Sequence, residues 1–336
     1  MDRRNFVIGT AAVAGSMGFS VKLHAQDMIA ASWIGPSNIT PLQTYVLIAI
    51  EKGYLAEEGV NLTVTASPGT ANAITQLAAG QAQFGQGASV TSVPAIVNQG
   101  AEVITVAQPI YESVFELASR PEAEIRTPQD LVGKTVGLMS IGGSTDKLLD
   151  AMMLNAGLDP NSVNKVVTGL SSSAVAFLER GEVDAFWSYY PIRVALDKMG
   201  IELSYLGSGK FAPFPPDSII CSSVLLKDDA GRELVQKYLR ACARAHAYMM
   251  DPANTESCTD ILGKYNPVEA EDRDATARKF AIVRDLAKTP EGVKPMYCDL
   301  AAWEKGIELM KSMNTIENIV PLDQVVTNSM LEAAGI

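Results

Sequence analysis

Histidine is almost absent from this chain: two occur in 336 residues, and only His246 lies beyond the first 26. It sits in an apolar helical stretch, ARAHAYMM, where nothing nearby supports catalysis. A Ser-His-Asp or Cys-His centre would have to use it, so nucleophilic chemistry of that kind is not expected. The four cysteines, Cys221, Cys242, Cys258 and Cys298, are scattered and form no CxxC pair. With so little histidine, zinc is disfavoured, and no metal and no cofactor are expected. Outside the cytoplasm the cysteines would permit three full pairings, and spacing does not choose among them. There is no GxGxxG fingerprint, and the glycine turn at 141–143 lacks the lysine of a P-loop. Positive charge is in deficit, with a formal net charge of −11. An acidic surface argues against nucleic acid and against an anionic membrane as partners. Beyond Val21 no apolar run is long enough to span a bilayer.

What is present begins with residues 1–25. Arg3-Arg4 precede Asn5-Phe6, a small and apolar run follows to Val21, and Leu23-His24-Ala25 resembles a small-residue cleavage site. The pattern looks like a twin-arginine export signal, with Asp2 where Ser or Thr is usual. An ordinary secretory signal or a retained anchor is the alternative. All three direct the chain out of the cytoplasm, so a periplasmic, exported location is expected and residues 1–25 are set apart from the fold.

From residue 27 to 107 short apolar and β-branched runs alternate with helical patterns, a βαβαβαβ series that implies a mainly parallel sheet with helices on both faces. The alternation restarts at 133–159, GKTVGLMSIGGSTDKLLDAMMLNAGLD. Thr135 to Met139 reads as a strand, Ile141-Gly142-Gly143 as a turn, and Leu148, Leu149, Met152 and Met153 recur at helical spacing until Gly157. Free N–H groups and hydroxyls at Ser144 and Thr145 would let this helix start hold a polar ligand group. It is equally an ordinary βα turn. Beyond Lys227 the pattern is helical over 229–250, 255–262, 269–287 and 300–313. Two βα series of similar size suggest two lobes around a cleft, with ligand outside the carboxyl ends of the strands.

The stretches 51–64 (EKGYLAEEGVNLTV) and 76–87 (QLAAGQAQFGQG, with Gln83 where Asp is usual) carry a family resemblance. So do 127–149 (TPQDLVGKTVGLMSIGGSTDKLL), 154–166 (LNAGLDPNSVNKV) and 178–191 (LERGEVDAFWSYYP). In this order and spacing they resemble the substrate-binding proteins of ABC importers for sulfonates, nitrate, taurine and thiamine-pyrimidine precursors. The resemblance implies an α/β, two-lobed periplasmic-binding-protein fold (type II-like). Each lobe is a mainly parallel sheet flanked by helices, with a helical C-terminal segment. It implies lobe one at 26–115 and 223–336, lobe two at 116–222, and hinge strands near 110–117 and 214–222. It also implies hinge closure on a small-molecule ligand, docking on an ABC permease in the inner membrane, and a monomer. One branch of the family contains an enzyme lineage with a His- and Cys-rich motif; nothing like it occurs here, so no catalytic residues are expected.

The loops after the strands are rich in rings and poor in cations, Arg193 being the one in them. That favours an aromatic or heterocyclic, pyrimidine-like ligand stacked between rings, with acidic groups accepting its N–H bonds. The residues expected to line the site are Trp33, Ser37, Asn38, Gly69, Ser89, Tyr111, Glu112, Gly143, Ser144, Thr145, Trp187, Tyr189, Tyr190 and Asp217. A sulfonate or other anion on the same scaffold, an exported enzyme of related fold, and a ligand-sensing ectodomain are the alternatives.

Overall fold

The computed structural model describes residues 28–35 and 39–336. The expected export signal, and Ser37 and Asn38 of the candidate site, lie outside the described residues. The strands are β1 (Ile29–Gly35), β2 (Val60–Ala66), β3 (Phe84–Gly87), β4 (Val103–Ala107), β5 (Phe115–Ser119), β6 (Thr135–Leu138), β7 (Asn164–Val167), β8 (Ala185–Tyr189), β9 (Ser204–Gly207) and β10 (Ser218–Ser222). They form two five-stranded sheets, ordered β2-β1-β3-β10-β4 and β7-β6-β8-β5-β9. In the first, β1 runs parallel to β2 and β3, and β10 runs antiparallel to β3 and β4. In the second, β6 runs parallel to β7 and β8, and β5 runs antiparallel to β8 and β9. Each sheet thus has one reversed strand, and it is the strand that receives the chain from the other lobe.

The helices are α1 (Thr44–Glu51), α2 (Tyr54–Glu57), α3 (Thr70–Ala78), α4 (Ser89–Gln99), α5 (Ser144–Asn155), α6 (Val175–Glu179), α7 (Tyr190–Lys198), α8 (Asp229–Met250), α9 (Thr255–Tyr265), α10 (Pro267–Glu271), α11 (Arg273–Leu286), α12 (Leu300–Ser312) and α13 (Ser329–Ala333). Both faces of each sheet are covered, which is why the strands read as nearly continuous apolar runs. Trp33, Tyr45, Phe84 and Tyr238 fill one face of the first sheet, with Phe84 stacked on Tyr238 at 3.8 Å. Ile34, Ile74, Leu77 and Ile220 fill the other. In the second sheet Trp187 and Phe186, adjacent on β8, point to opposite faces and are both buried. The helix expected over 269–287 is broken in two, because the Asp272 side chain accepts the Ala275 N–H at 3.0 Å and starts α11 afresh.

Two crossovers, residues 108–114 and 208–217, join the lobes, and they are stitched to each other. The Ser208 hydroxyl donates to the Phe115 carbonyl at 2.8 Å and sits 2.9 Å from the Ser113 hydroxyl. Helix α12 clamps both: Trp303 Nε1 donates to Gln108 Oε1 at 3.0 Å, and a Cβ on Gly306 would stand 2.8 Å from Pro215. Only glycine lets α12 lie this close to the second crossover.

Candidate functional site

The loops after β2, β3, β6, β7 and β8 converge on a cavity of about 410 Å³ between the lobes. It continues into a groove of about 690 Å³ along α3 and α4, which shares Val90, Thr91 and Ser144 with it and is bordered by Gly143 and Lys147. The position, at the carboxyl ends of the parallel strands, is where open α/β sheets hold ligands.

Asp217, at the end of the second crossover, borders the inner cavity and is the one charged residue that does so among the described residues. Its carboxylate has no side-chain partner there, and Phe214, Pro215 and Pro216 wall it in. This burial pushes its pKa from 3.8 up to about 6. A mostly ionised carboxylate met only by its own backbone N–H, with no cation beside it among the described residues, keeps acceptor capacity for an N–H or O–H donor.

Lobe two supplies an aromatic wall. Phe115 on β5 pairs in register with Tyr189 on β8, their rings tilted at 6.5 Å. Tyr189 meets Tyr190 edge-on at 6.0 Å. All three border the cavity. Tyr190 also reaches across to lobe one, where its hydroxyl lies 2.6 Å from Thr40 Oγ1. Burial holds the Tyr190 phenol above its ordinary pKa, so it keeps its proton at neutral pH.

Gln43 faces the cavity from lobe one and was not among the residues expected from the sequence. Thr40 and Gln43 form a capping box at the start of a short 3₁₀ turn leading into α1. The spacing T-x-x-Q after a strand was a signal available in the sequence. A Gln whose oxygen is used by a cap must send its NH₂ elsewhere.

Of the expected site residues, Gly69, Ser144, Tyr189, Tyr190 and Asp217 border the inner cavity, and Gly143 borders the outer groove. Others are corrected by the structure. Trp33 is wholly buried against Tyr45 in the core of lobe one, and Trp187 in that of lobe two, edge-on to Phe115 at 6.4 Å. Each lies two residues before the end of its strand, with its indole in the sheet packing rather than in the cleft. Ser89 is buried, with its hydroxyl donating to the Pro215 carbonyl at 2.6 Å, so it ties α4 to the second crossover. Tyr111 turns away from the cavity and donates to the Tyr297 carbonyl at 2.9 Å, anchoring the C-terminal segment. Glu112 is exposed on the first crossover, beside Gly209. Thr145 is buried, and its hydroxyl accepts the Met139 N–H at 3.1 Å. Asp146 accepts the Gly142 N–H at 2.7 Å and pairs with Lys165 at 2.6 Å, which places a fixed negative charge in the first turn of α5. Arg193 is spent on Glu116 at 3.3 Å and on the Tyr205 ring at 4.5 Å.

The groups excluded from chemistry by the sequence are elsewhere. His246 is buried and bonded to the Pro109 carbonyl at 2.9 Å, and burial lowers its pKa to about 4, so it is neutral. The four cysteines are buried and unpaired.

The model of the family described as "NMT1/THI5 like" matches residues 40–255. The chain belongs to that family. Among curated relatives, the 4-amino-5-hydroxymethyl-2-methylpyrimidine phosphate synthase of Legionella pneumophila is 27% identical over 68% of this chain and 71% of its own length. The formylaminopyrimidine-binding protein of Halalkalibacterium halodurans is 22% identical over 83% of this chain and 84% of its own. Among solved structures, the periplasmic aliphatic sulphonate binding protein of Escherichia coli matches with a TM-score of 0.67, covering 89% of this chain and 92% of that one at 17% identity. The fold is therefore that of the two-lobed periplasmic binding proteins.

Proposed function

We propose that this NMT1/THI5-like protein is an exported solute-binding protein of an ABC importer. It captures a small nitrogen heterocycle bearing N–H donors, an aminopyrimidine being the simplest, between its lobes and hands it to a membrane permease. The observation that carries this is Asp217: an unpaired carboxylate beside an aromatic wall, with no cation on the inner cavity among the described residues. A ring stacked on Tyr189 and Phe115 would place its donors against that carboxylate. The pyrimidine-binding relative supports the ligand class.

Binding without catalysis is supported by the formylaminopyrimidine-binding relative. Export is supported by residues 1–25 and by the family of binding proteins whose fold the chain shares; among the described residues no helix is long and apolar enough to cross a membrane. An exported enzyme of related fold rests on the name of the Legionella relative. A sulfonate or other anion has one observation in its favour, Lys147 and Ser144 at the rim of the outer groove. A thermal-shift screen against aminopyrimidines, matched oxopyrimidines and alkanesulfonates separates these, since a ligand of the folded state raises Tm. Aminopyrimidines are expected to stabilise; stabilisation by sulfonates alone would refute the proposal.

A further inference from the structure

The Gln43 side chain is 5% exposed, and its Oε1 accepts two bonds from Thr40, the backbone N–H at 3.0 Å and the hydroxyl at 2.9 Å. A backbone N–H only donates, so the amide oxygen must face Thr40 and the NH₂ must face away. Nε2 has no partner among the described residues, and the residue borders the cavity. With Oε1 taken by Thr40, Nε2 is the group that Gln43 has left to offer the cleft.

The direction of the remaining bond follows. Thr40 has a single hydroxyl proton, and it goes to Gln43. Across the cleft, at 2.6 Å, Tyr190 must then be the donor to Thr40 Oγ1. Three residues form one relay of fixed polarity: Tyr190 of lobe two donates to Thr40 of lobe one, and Thr40 donates to Gln43. Parting the lobes removes the first donor. The Thr40 N–H still holds the Gln43 oxygen, but the Thr40 hydroxyl is then free to turn its proton away, which leaves the amide held by one bond instead of two. Chains of hydrogen bonds also polarise one another, so loss of the first weakens the second.

We propose that Tyr190 is a positioning residue that couples lobe closure to recognition: through the Thr40 hydroxyl it steadies the Gln43 amide, whose NH₂ is left for the cleft. This rests on the cleft being the ligand site. It adds to the ligand's chemistry a hydrogen-bond acceptor, a ring nitrogen or carbonyl oxygen, to meet Gln43 in addition to the donor that meets Asp217.

The relay can be tested without ligand through the side-chain ¹⁵N–¹H₂ resonances of Gln43, assigned by their loss in Gln43→Asn. In the wild-type protein they should exchange slowly with water. In Tyr190→Phe, which keeps the buried ring, exchange should quicken by about threefold to tenfold, the worth of one hydrogen bond. Thr40→Val should do the same, and the double variant no more. Unchanged Gln43 exchange in Tyr190→Phe would overturn the proposal. Calorimetry with 4-amino-5-hydroxymethyl-2-methylpyrimidine supplies a second arm. Tyr190→Phe should bind it about threefold to tenfold more weakly, and equal affinity in the two proteins would also overturn the relay. If wild-type protein binds no pyrimidine, the proposed ligand class fails, while the amide exchange still decides the relay.

Discussion

The two lobes share a sheet order and a single reversed strand, yet they bring different chemistry to the cleft. Lobe one and the second crossover supply the hydrogen-bonding groups, Gln43 and Asp217; lobe two supplies the rings, Phe115, Tyr189 and Tyr190. Neither half is a site alone. A ring bound to lobe two gains stacking but no specificity, and a donor bound to Asp217 is open to water. On the proposed reading only closure would assemble both, and differential affinity for a closed state would then be the quantity that ligand binding sets. The tryptophans sharpen the contrast, because each lobe buries one as a core residue rather than offering it to the cleft.

The largest expected effect breaks the lobes apart in kind. Trp187→Ala should cost about 3–5 kcal/mol of stability by opening a cavity in lobe two, while the folded fraction binds ligand normally. Denaturant unfolding and calorimetry on the same sample separate the two; a lost affinity with unchanged stability would return Trp187 to the cleft.

Next is Asp217→Asn, which should weaken an aminopyrimidine by about 1.5–3 kcal/mol, since a hydrogen bond to a charged acceptor is lost. It should also stabilise the free protein. The folded-state pKa of about 6 lies above the ordinary 3.8, so the unfolded chain ionises first and the native state loses stability as pH rises between these values. At about pH 2.5, below both values, both states are protonated and the substitution gains little. Near pH 7.5 it should gain roughly 1–3 kcal/mol, an upper figure set by the pKa difference. Thermal melts at the two pH values check the sign.

Smaller still is Tyr189→Ala, expected to lose about 0.5–1.5 kcal/mol of binding from the lobe-two wall. Smallest is Lys147→Ala on the outer groove, expected to change aminopyrimidine binding by less than about 0.5 kcal/mol. A large loss at Lys147 in calorimetry would favour an anionic ligand and move the site outward.

Much of the architecture was legible because it rests on periodicity. The βα alternation, the glycine turn before α5 and the long helix at 229–250 all leave local signals. Gly157 ends α5 with the Leu158 N–H bonded to the Met153 carbonyl at 2.9 Å, as a helix-ending glycine predicts. The site was less legible, because which way a side chain points at a strand end depends on packing far along the chain. Trp33 and Trp187 carried the right chemistry, but helices covered the faces they occupy. Tyr111 and Glu112 followed a strand as site residues do, yet the C-terminal segment and the second crossover took them. Asp217 was legible as one of the few acidic groups in the loops, able to accept a ligand N–H. Gln43 was missed because its capping role was not read, and the interlobe contact that fixes it joins residues 150 apart.

On the proposed reading the Asp217 carboxylate, not a cation, selects the ligand. That selection is tested most directly by calorimetric titration of 4-amino-5-hydroxymethyl-2-methylpyrimidine and of ethanesulfonate into wild-type and Asp217→Asn protein at pH 7.5. The pyrimidine should bind the wild type, Asp217→Asn should weaken it by about tenfold or more, and the sulfonate should give no binding heat with either. Sulfonate binding that survives or strengthens in Asp217→Asn, with no pyrimidine binding to the wild type, would contradict it.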